Sequence, residues 1–419
     1  MIRLLALSLL GAMLLLAGCA RSSTPAMAAA TAAPAQQDAL TLVSDTALSP
    51  RLHELIVHSP ALGTDTGVRL LLPAGYDENS PTRYPVLYLL HGCCDVGDQG
   101  YQAWTTNTDV EAFTATMPLL IVMPMSGKGG FYADWYNNGA GGTPRWETHH
   151  IRELLPWIEA HYRVRSDRAG RMLAGLSMGG HGSFTYGAKY PDLFASAAAY
   201  SPVIDTNTPR GIALTEALAG LDLGIPGSLF GLRPTEEVRW RGHNPWDLAE
   251  NLAPLKLYIR TGNGNQDGVP VDPIESIVNE MAHNVHDQLD VLGIAHSFVD
   301  YGDGTHSWTD WQADLHATLP EQLAYAQSNP PPPETVTYRS IDPQFSVFGW
   351  SVSLQRNVLE FARLGAATAA GFTLSGSGAG AVMTPAFYAP GENCVVRIDG
   401  KQSTLAADAS GRLHLAVDL

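Results

Sequence analysis

The stretch Gly175-Leu176-Ser177-Met178-Gly179 decides how this chain is interpreted. It follows a short apolar run at 171–174 and precedes residues 181–189, whose composition predicts a helix. A serine in G-x-S-x-G between a strand and a helix is typical of a nucleophile elbow. Because this turn is very tight, the residues two before and two after the serine must be small. The pattern predicts a Ser177 hydroxyl exposed at the carboxyl edge of a sheet, beside a helix N-terminus.

Length and charge narrow the class of protein. The 419 residues suffice for one large domain and a small one, and 45% of them are hydrophobic, so a substantial core is expected. The 25 basic and 41 acidic residues give a net charge of −16. This charge argues against nucleic-acid partners and against electrostatic binding to anionic lipid headgroups, and favours an acidic, solvated surface.

The N-terminus has the pattern of a targeting segment. Arg3 precedes an apolar run at 4–16, which leads into Leu16-Ala17-Gly18-Cys19. This pattern predicts a signal peptide over residues 1–19 that takes no part in the fold. The small residues before Cys19 resemble a bacterial lipoprotein signal, and that resemblance implies a lipid on Cys19. The alternative is an ordinary secretory signal with an incidental cysteine.

Residues 20–39 are rich in Ala, Ser, Thr, Pro and Gln and predict a flexible tether. We therefore expect an exported protein that is lipid-anchored to the cell membrane or outer membrane and faces outside the cytoplasm. Three further cysteines remain, Cys93, Cys94 and Cys394, so at least one is unpaired. A disulfide between the neighbours Cys93 and Cys94 would be strained, and buried thiols are an equally good interpretation.

Two segments of different character follow the tether. Residues 40–328 alternate apolar runs with helical stretches such as 149–161 and 272–292, which predicts a mostly parallel, doubly wound α/β sheet. The predicted strands are 68–72, 86–90, 119–123, 171–174, 195–200, 255–260 and 296–301. The proline-rich residues 329–334 predict a stiff linker. Alternating apolar positions and turn signals in 335–419 predict a small, sandwich-like all-β domain.

A serine nucleophile needs a histidine base, and the base needs a carboxylate to orient it. In folds with a G-x-S-x-G nucleophile elbow, the order along the chain is Ser, acid, His. His306 lies in the loop after the last predicted strand and fits the base. Two acids follow the strand that ends at residue 260, Glu275 and Asp267, and the order along the chain does not choose between them.

Two possible metal sites have only weak support in the sequence. His283 and His286 are three residues apart on a predicted helix, and a polar helix face explains them better than a metal does. The polar residues 263, 265 and 267 faintly resemble a calcium loop, but the twelfth position of that loop is Ile274 where a glutamate is required. We expect neither a metal nor an organic cofactor.

An oxyanion hole requires two backbone N–H groups that point at the developing negative charge. The residue after the nucleophile, Met178, is expected to supply one of them. The second is expected from the loop after an early strand, where His91-Gly92-Cys93-Cys94 follows the run 86–90. Cys93 would supply this N–H, and its thiol need not take part.

In combination, these motifs resemble the bacterial esterase family that includes the mycolyltransferases and the feruloyl-type esterases. Residues 131–136 followed by 145–148, and Gly304-Thr305-His306-Ser307-Trp308, are similar to the mycolyltransferase branch. The resemblance covers roughly 60–325 and implies an α/β-hydrolase fold, with Glu275 as the acid and Asp267 second. It also implies Ser177 and His306 as nucleophile and base, with Cys93 and Met178 as oxyanion donors.

One departure concerns the acceptor. The mycolyltransferases carry an Asp-Gly with a nearby Arg where this chain has His91-Gly92, and His-Gly is the form found in ordinary esterases of the family. The expected function is therefore serine hydrolysis of a small-molecule, lipid or glycan ester, and the alternative is acyl transfer to a carbohydrate or lipid hydroxyl. A binding protein without chemistry, or a peptidase, is a further alternative that the motifs favour less. Four tryptophans, Trp104, Trp135, Trp146 and Trp308, are candidates for a groove or for packing.

Overall fold

The computed structural model describes residues 12–17, 39–94, 99–223 and 225–419. These residues form two compact units, one within 35–331 and one that combines 12–17 with 332–419. No helix, and no strand, lies in residues 329–334, the segment that predicts a linker. Cys19 and residues 20–38 of the predicted tether lie outside the described residues. In the part of the chain that is described, no helix is long and apolar enough to cross a membrane.

The larger unit is built on a nine-stranded sheet, as far as the described residues show, with the strand order β12-β9-β8-β7-β5-β6-β4-β3-β2. From β6 to β12 the neighbours are parallel, and β4, β3 and β2 are antiparallel. A separate hairpin pairs β10 with β11. The strands are β2 Thr41–Ala47, β3 Leu52–Ser59, β4 Thr64–Leu71, β5 Val86–Leu90, β6 Leu120–Pro124, β7 Arg171–Leu176, β8 Ser196–Tyr200, β9 Lys256–Thr261, β10 Asn265–Gln266, β11 Val269–Pro270 and β12 His296–Asp300.

Helices cover the parallel strands, and for this reason β5, β6, β7 and β8 are buried along their whole length. Strands buried on both faces read as continuous apolar runs, which is why the sequence predicts them well. The helices are α1 Ala103–Asn107, α2 Val110–Phe113, α3 Trp146–Thr148, α4 Leu155–His161, α5 Met178–Lys189, α6 Pro209–Leu223, α7 Glu237–Arg241, α8 Pro273–Val291 and α9 Trp308–Gln327. A π-helical segment, His149–Leu154, joins α3 to α4, and short 3-10 turns cover Gly100–Gln102, Asn137–Gly139, Arg168–Gly170 and Ala249–Leu252.

The antiparallel edge departs from a purely parallel sheet. β2 is exposed along its whole length, so it carries no hydrophobic alternation that a sequence pattern could reveal. β4 lies at the junction, because it pairs antiparallel with both β3 and β6. The sheet is therefore mostly parallel, as expected, with an antiparallel extension that the sequence did not predict.

The smaller unit has two antiparallel sheets around one core. Their orders are β14-β15-β18-β21 and β13-β16-β17-β1-β19-β20. Trp350, Leu364, Leu374 and Leu415 are among its buried core residues. The strands are β1 Ala12–Ala17, β13 Val336–Ser340, β14 Gln344–Val347, β15 Trp350–Gln355, β16 Ala362–Thr368, β17 Gly371–Ser375, β18 Ala379–Met383, β19 Asn393–Ile398, β20 Lys401–Ala406 and β21 His414–Asp418.

The strand β1 corrects one expectation. Residues 1–19 are predicted to take no part in the fold, yet β1 pairs antiparallel with β17 on one side and with β19 on the other. Both backbone edges of this apolar segment thereby find hydrogen-bond partners. The pairing belongs to the chain before any cleavage. Whether residues 1–19 form a cleaved signal stays a prediction, and cleavage at Cys19 would remove β1.

Candidate active site

Ser177 lies at a sharp turn between β7, which ends at Leu176, and α5, which begins at Met178. Its backbone has φ +52° and ψ −117°, a region that non-glycine residues rarely adopt. Hydrogen bonds hold this conformation: the Ser177 N–H donates to the Tyr200 carbonyl at 2.8 Å, and its carbonyl accepts from Val203 at 3.2 Å. A strained backbone fixed in this way is common at functional sites.

The two glycines of the motif are required by close backbone approach. A Cβ on Gly175 would lie 2.3 Å from the Gly179 carbonyl oxygen. A Cβ on Gly179 would lie 2.4 Å from the carbonyl oxygen of Leu90, at the end of β5. The need for small residues therefore has two sources, the elbow itself and the packing of α5 against the neighbouring strand.

Glu275 and His306 lie in direct contact. The Glu275 carboxylate is fully buried, and its Oε2 is 2.8 Å from Nδ1 of His306. A carboxylate only accepts, so Nδ1 carries the proton and Nε2 keeps its lone pair. Asp267, the other candidate acid, is exposed in the turn between β10 and β11. The structure thus brings Glu275, and not Asp267, to His306.

The second oxygen of Glu275 is held by three donors. Oε1 accepts from Ser201 Oγ at 2.9 Å, from Thr261 Oγ1 at 3.1 Å and from the backbone N–H of Gly262 at 2.8 Å. These hydrogen bonds compensate for the loss of water around a buried carboxylate. They also fix its rotation, so that Oε2 faces His306.

Two aromatic side chains pack around this pair. The indole N–H of Trp311 donates to Ser201 Oγ at 3.1 Å, and the Trp311 ring stands perpendicular to the His306 ring with centroids 4.8 Å apart. Trp308 is half-buried and packs edge-on against Trp104 and Trp311. Trp104 and Trp135 are buried in the core, so their groove interpretation is wrong and the packing interpretation holds.

The loop after β5 is folded against the elbow. A Cβ on Gly92 would lie 2.3 Å from Leu176 Cδ1 and 3.4 Å from Ser177 Cβ. Nε2 of His91 accepts the backbone N–H of Ser126 at 2.9 Å, so the Nδ1–H donates to the Gly92 carbonyl at 2.6 Å. Burial lowers the pKa of His91 to about 4, so the ring is neutral near pH 7.

The two predicted oxyanion donors, Met178 and Cys93, follow directly after the residues of the close approach between Ser177 and Gly92. Met178 is the first residue of α5, and its sulfur accepts the backbone N–H of Phe131 at 3.4 Å. Cys93 directly follows Gly92, and a disulfide joins it to Cys94. Cys394 is buried in the smaller unit. The adjacent pair, which the sequence left open, is therefore a disulfide in this structure.

Comparison with known proteins places the chain in a family. A model of the family described as "Putative esterase" matches residues 59–322, which is more than half of the chain. The chain belongs to this esterase family. Within the larger unit, the sheet order and the elbow after β7 give the α/β-hydrolase fold.

Two relatives show the range of the esterase family. An esterase of Mycobacterium tuberculosis is 34% identical over 254 residues, which cover 59% of this chain and 54% of that protein. The chain therefore spans about half the length of that relative. The diacylglycerol acyltransferase/mycolyltransferase Ag85B of Mycobacterium leprae is 30% identical over 284 residues, which cover 64% of this chain and 82% of that protein.

A solved structure supports the fold that this chain shares with the esterase family. The crystal structure of Mycobacterium tuberculosis MPT51 matches with a TM-score of 0.56 at 21% identity, and the match covers 66% of this chain and 100% of that one. At this identity the likeness speaks for the esterase family's fold alone.

Sequence reasoning missed the residues that hold Glu275 in place. Asp272 caps α8, and its side chain accepts the backbone N–H groups of Ile274 and Glu275. It had a recognisable signal, because an aspartate directly before a proline that begins a helix is a typical N-cap. Ser201 and Thr261 had none, since each reaches Glu275 from another strand end, 74 and 14 residues away along the chain.

Proposed function

We propose that this protein is a serine hydrolase that cleaves carboxylic esters through an acyl-enzyme on Ser177. The observation that carries the proposal is the 2.8 Å contact between the buried Glu275 carboxylate and Nδ1 of His306. This contact leaves Nε2 of His306 available as a base at the same sheet edge as the Ser177 elbow. Membership of the esterase family supports the same reaction class.

In the first half of the reaction, Ser177 Oγ attacks the ester carbonyl carbon and gives its proton to Nε2 of His306. The Glu275 carboxylate stabilises the imidazolium that forms. The N–H groups of Met178 and Cys93 donate to the oxyanion of the tetrahedral intermediate. When the intermediate collapses, His306 returns the proton to the leaving alkoxide, and the acyl group stays on Ser177.

In the second half, water takes the place of the alcohol. His306 removes a proton from this water as it attacks the acyl-enzyme, and the proton then returns to Ser177 Oγ as the acid leaves. No step needs a metal or an organic cofactor. The substrate is an ester of a small molecule, a lipid or a glycan.

The second candidate is an acyltransferase, in which a carbohydrate or lipid hydroxyl replaces the water. The similarity to Ag85B favours it, because the match covers most of that protein. The loop after β5 favours hydrolysis, since it lacks the Asp-Gly of the mycolyltransferases. His91 there is neutral and buried, and both of its ring nitrogens are bonded to backbone.

For its location, we propose export and a lipid on Cys19, which would tether the catalytic unit through residues 20–39 outside the cytoplasm. The support is the sequence pattern of residues 3–19. Metabolic labelling with a radioactive fatty acid tests it: Cys19→Ser should abolish the label, and a Cys19→Ser protein that is still labelled would contradict the anchor.

Product analysis by mass spectrometry tests the reaction. The purified protein receives a medium-chain acyl ester with and without sugar and glycerol acceptors, and Ser177→Ala serves as the inactive control. Free acid in every reaction, independent of acceptor, supports the hydrolase. Acylated acceptor formed at the expense of free acid supports the transferase. Turnover by Ser177→Ala, or no labelling of the unmodified protein by a fluorophosphonate, would overturn both.

A further inference from the structure

Two histidines and an aspartate meet on the far half of α8, away from the catalytic residues. His286 and Asp290 are one helical turn apart on α8, and His296 is the first residue of β12. The Nδ1 of His286 is 2.7 Å from Nε2 of His296, and Nε2 of His286 is 3.8 Å from Asp290 Oδ2. One ligand atom from each residue lies within 4.8 Å of the others.

The tautomer of His296 is fixed in the form that binds metals. Its Nδ1 is 2.8 Å from the Ile294 carbonyl oxygen, which can only accept, so Nδ1 carries the proton. The lone pair therefore lies on Nε2, which accepts the Nδ1–H of His286 in the metal-free protein. An ion bound between these two nitrogens takes the place of that proton, and His286 then carries its proton on Nε2 instead. An imidazole that donates its other N–H to a backbone carbonyl is the usual outer-shell arrangement of a metal-bound histidine.

The ring of His286 is also held in place. It stacks on Phe298 of β12 with centroids 4.2 Å apart and an interplanar angle of 8°. The stacking of His286 on Phe298 and the hydrogen bond of His296 to Ile294 thus hold the two imidazoles toward each other. A preoriented pair binds an ion with a smaller loss of side-chain entropy than two mobile surface histidines.

We propose that His286, Asp290 and His296 form a binding site for a divalent transition metal ion, with Zn²⁺ as the best match. Two imidazoles and one carboxylate are a donor set that Zn²⁺ accepts, with water as fourth ligand. Zn–N bonds of about 2.0–2.1 Å at a tetrahedral angle place the two nitrogens about 3.3 Å apart. The rings must therefore separate by about 0.6 Å, which the half-exposed His286 side chain allows.

The site is structural. Glu275 precedes His286 by eleven residues on the same helix, a distance of about 16 Å at 1.5 Å per residue, so the ion cannot touch the reacting atoms. It links the helix that carries Glu275 to the strand that leads into the His306 loop. Bound metal should therefore stabilise the folded state without changing the chemistry at Ser177.

Zinc titration of the untagged, chelator-treated full-length protein tests the site. Isothermal titration calorimetry measures the stoichiometry, and thermal unfolding at a fixed Zn²⁺ concentration measures the stabilisation. We expect one Zn²⁺ per chain and a rise in Tm. His296→Gln and His286→Gln should lose at least the roughly tenfold in affinity that even an outer-shell change costs.

The matched control is His283→Gln, which lies on the same helix. His283 bonds Asp300 at 2.9 Å and takes no part in the cluster, so this variant should bind Zn²⁺ as tightly as the unmodified protein. If a histidine variant fails to fold, Asp290→Asn replaces it, because Asp290 is exposed. Absence of stoichiometric binding, equal binding by the His286 and His296 variants, or loss of binding in the control would overturn the proposal.

Discussion

The carboxylate of Asp272 accepts the backbone N–H of His306 through Oδ2 at 2.8 Å. Its other oxygen caps α8 and accepts the backbone N–H groups of Ile274 at 2.9 Å and Glu275 at 3.1 Å. One side chain thus fixes both the start of the helix that carries Glu275 and the backbone of His306. Although partial burial acts in the opposite direction, the N–H donors of His306 and Glu275 lower the pKa of Asp272, which keeps it ionised.

Asp272→Asn separates these two tasks. Asparagine caps helices as well as aspartate does, so stability should change little. Its amide cannot accept from His306 while its oxygen caps the helix, and the loss of a charge-assisted hydrogen bond should lower kcat about tenfold with little change in KM. Asp272→Ala should lose stability as well. Equal kcat for Asp272→Asn and the unmodified protein in steady-state assays would argue against the positioning role.

Glu275→Gln and Asp267→Asn decide between the two acids. A glutamine amide in place of the Glu275 carboxylate would favour the wrong His306 tautomer, and such a change at a triad acid costs on the order of 10⁴-fold in kcat. Asp267 is exposed, so its substitution should leave kcat within about twofold, the scatter expected of a neutral surface change. The two variants are compared by initial rates on one chromogenic ester. A loss confined to the Asp267 variant would reverse the assignment.

Ser201→Ala tests the donor that links Trp311 to the acid. The substitution removes one hydrogen bond to Glu275 and leaves the buried indole N–H of Trp311 without its acceptor. An unsatisfied buried donor costs about 1–3 kcal/mol, measurable as a lower free energy of unfolding in urea. Activity should fall about tenfold. Thr261→Val is the milder control, because it also removes one donor to the same carboxylate oxygen but leaves the Trp311 indole N–H bonded to Ser201. A Ser201→Ala protein no weaker than this control would contradict the prediction.

Gly92→Ala tests the packing of the loop after β5, which carries the proposed oxyanion donor Cys93. The new methyl group would lie 2.3 Å from Leu176 Cδ1, so the loop or the elbow must move. Overpacking of this kind costs about 1–3 kcal/mol, and we expect a lower rate of fluorophosphonate labelling. Gly220→Ala is the control, because a Cβ there meets no atom within 4 Å and alanine favours the helix. Unchanged labelling of the Gly92 variant would show that the loop has room.

Buried neutral histidines predict acid sensitivity. Burial lowers the pKa of His91 and of His181 to about 4, from 6.5 for the free side chain. The unfolded chain binds protons first, so stability should be full above pH 6.5 and fall as the pH drops toward 4. Each histidine contributes on the order of 3 kcal/mol to this loss.

Urea unfolding at a series of pH values measures this slope. His181→Gln should reduce this slope, because it removes one of these two buried histidines. A flat stability profile between pH 6.5 and 4, or the same slope in the His181 variant, would be inconsistent with the prediction.

The elbow with its sheet, and the choice of the acid, show how far local sequence patterns predict the structure. The glycines around Ser177 and the apolar runs of the parallel strands predict the elbow and the sheet, because both depend on residues adjacent in the chain. The choice of Glu275 over Asp267 rests in the sequence on resemblance alone. The structure makes it by geometry, since the Glu275–His306 contact spans 31 residues and no periodicity encodes it.

The sequence by itself determined the nucleophile elbow, the order Ser177, acid, His306, and the α/β class, because turn geometry and strand burial leave local signatures. Only the tertiary structure decided which carboxylate meets the base, which side chains hold it, and that Cys93 bonds Cys94. It also added β1 and the antiparallel edge strands. The choice of carboxylate and the side chains that hold it depend on contacts between distant segments, such as Trp311 with Ser201, 110 residues apart, which form only when the whole sheet is assembled.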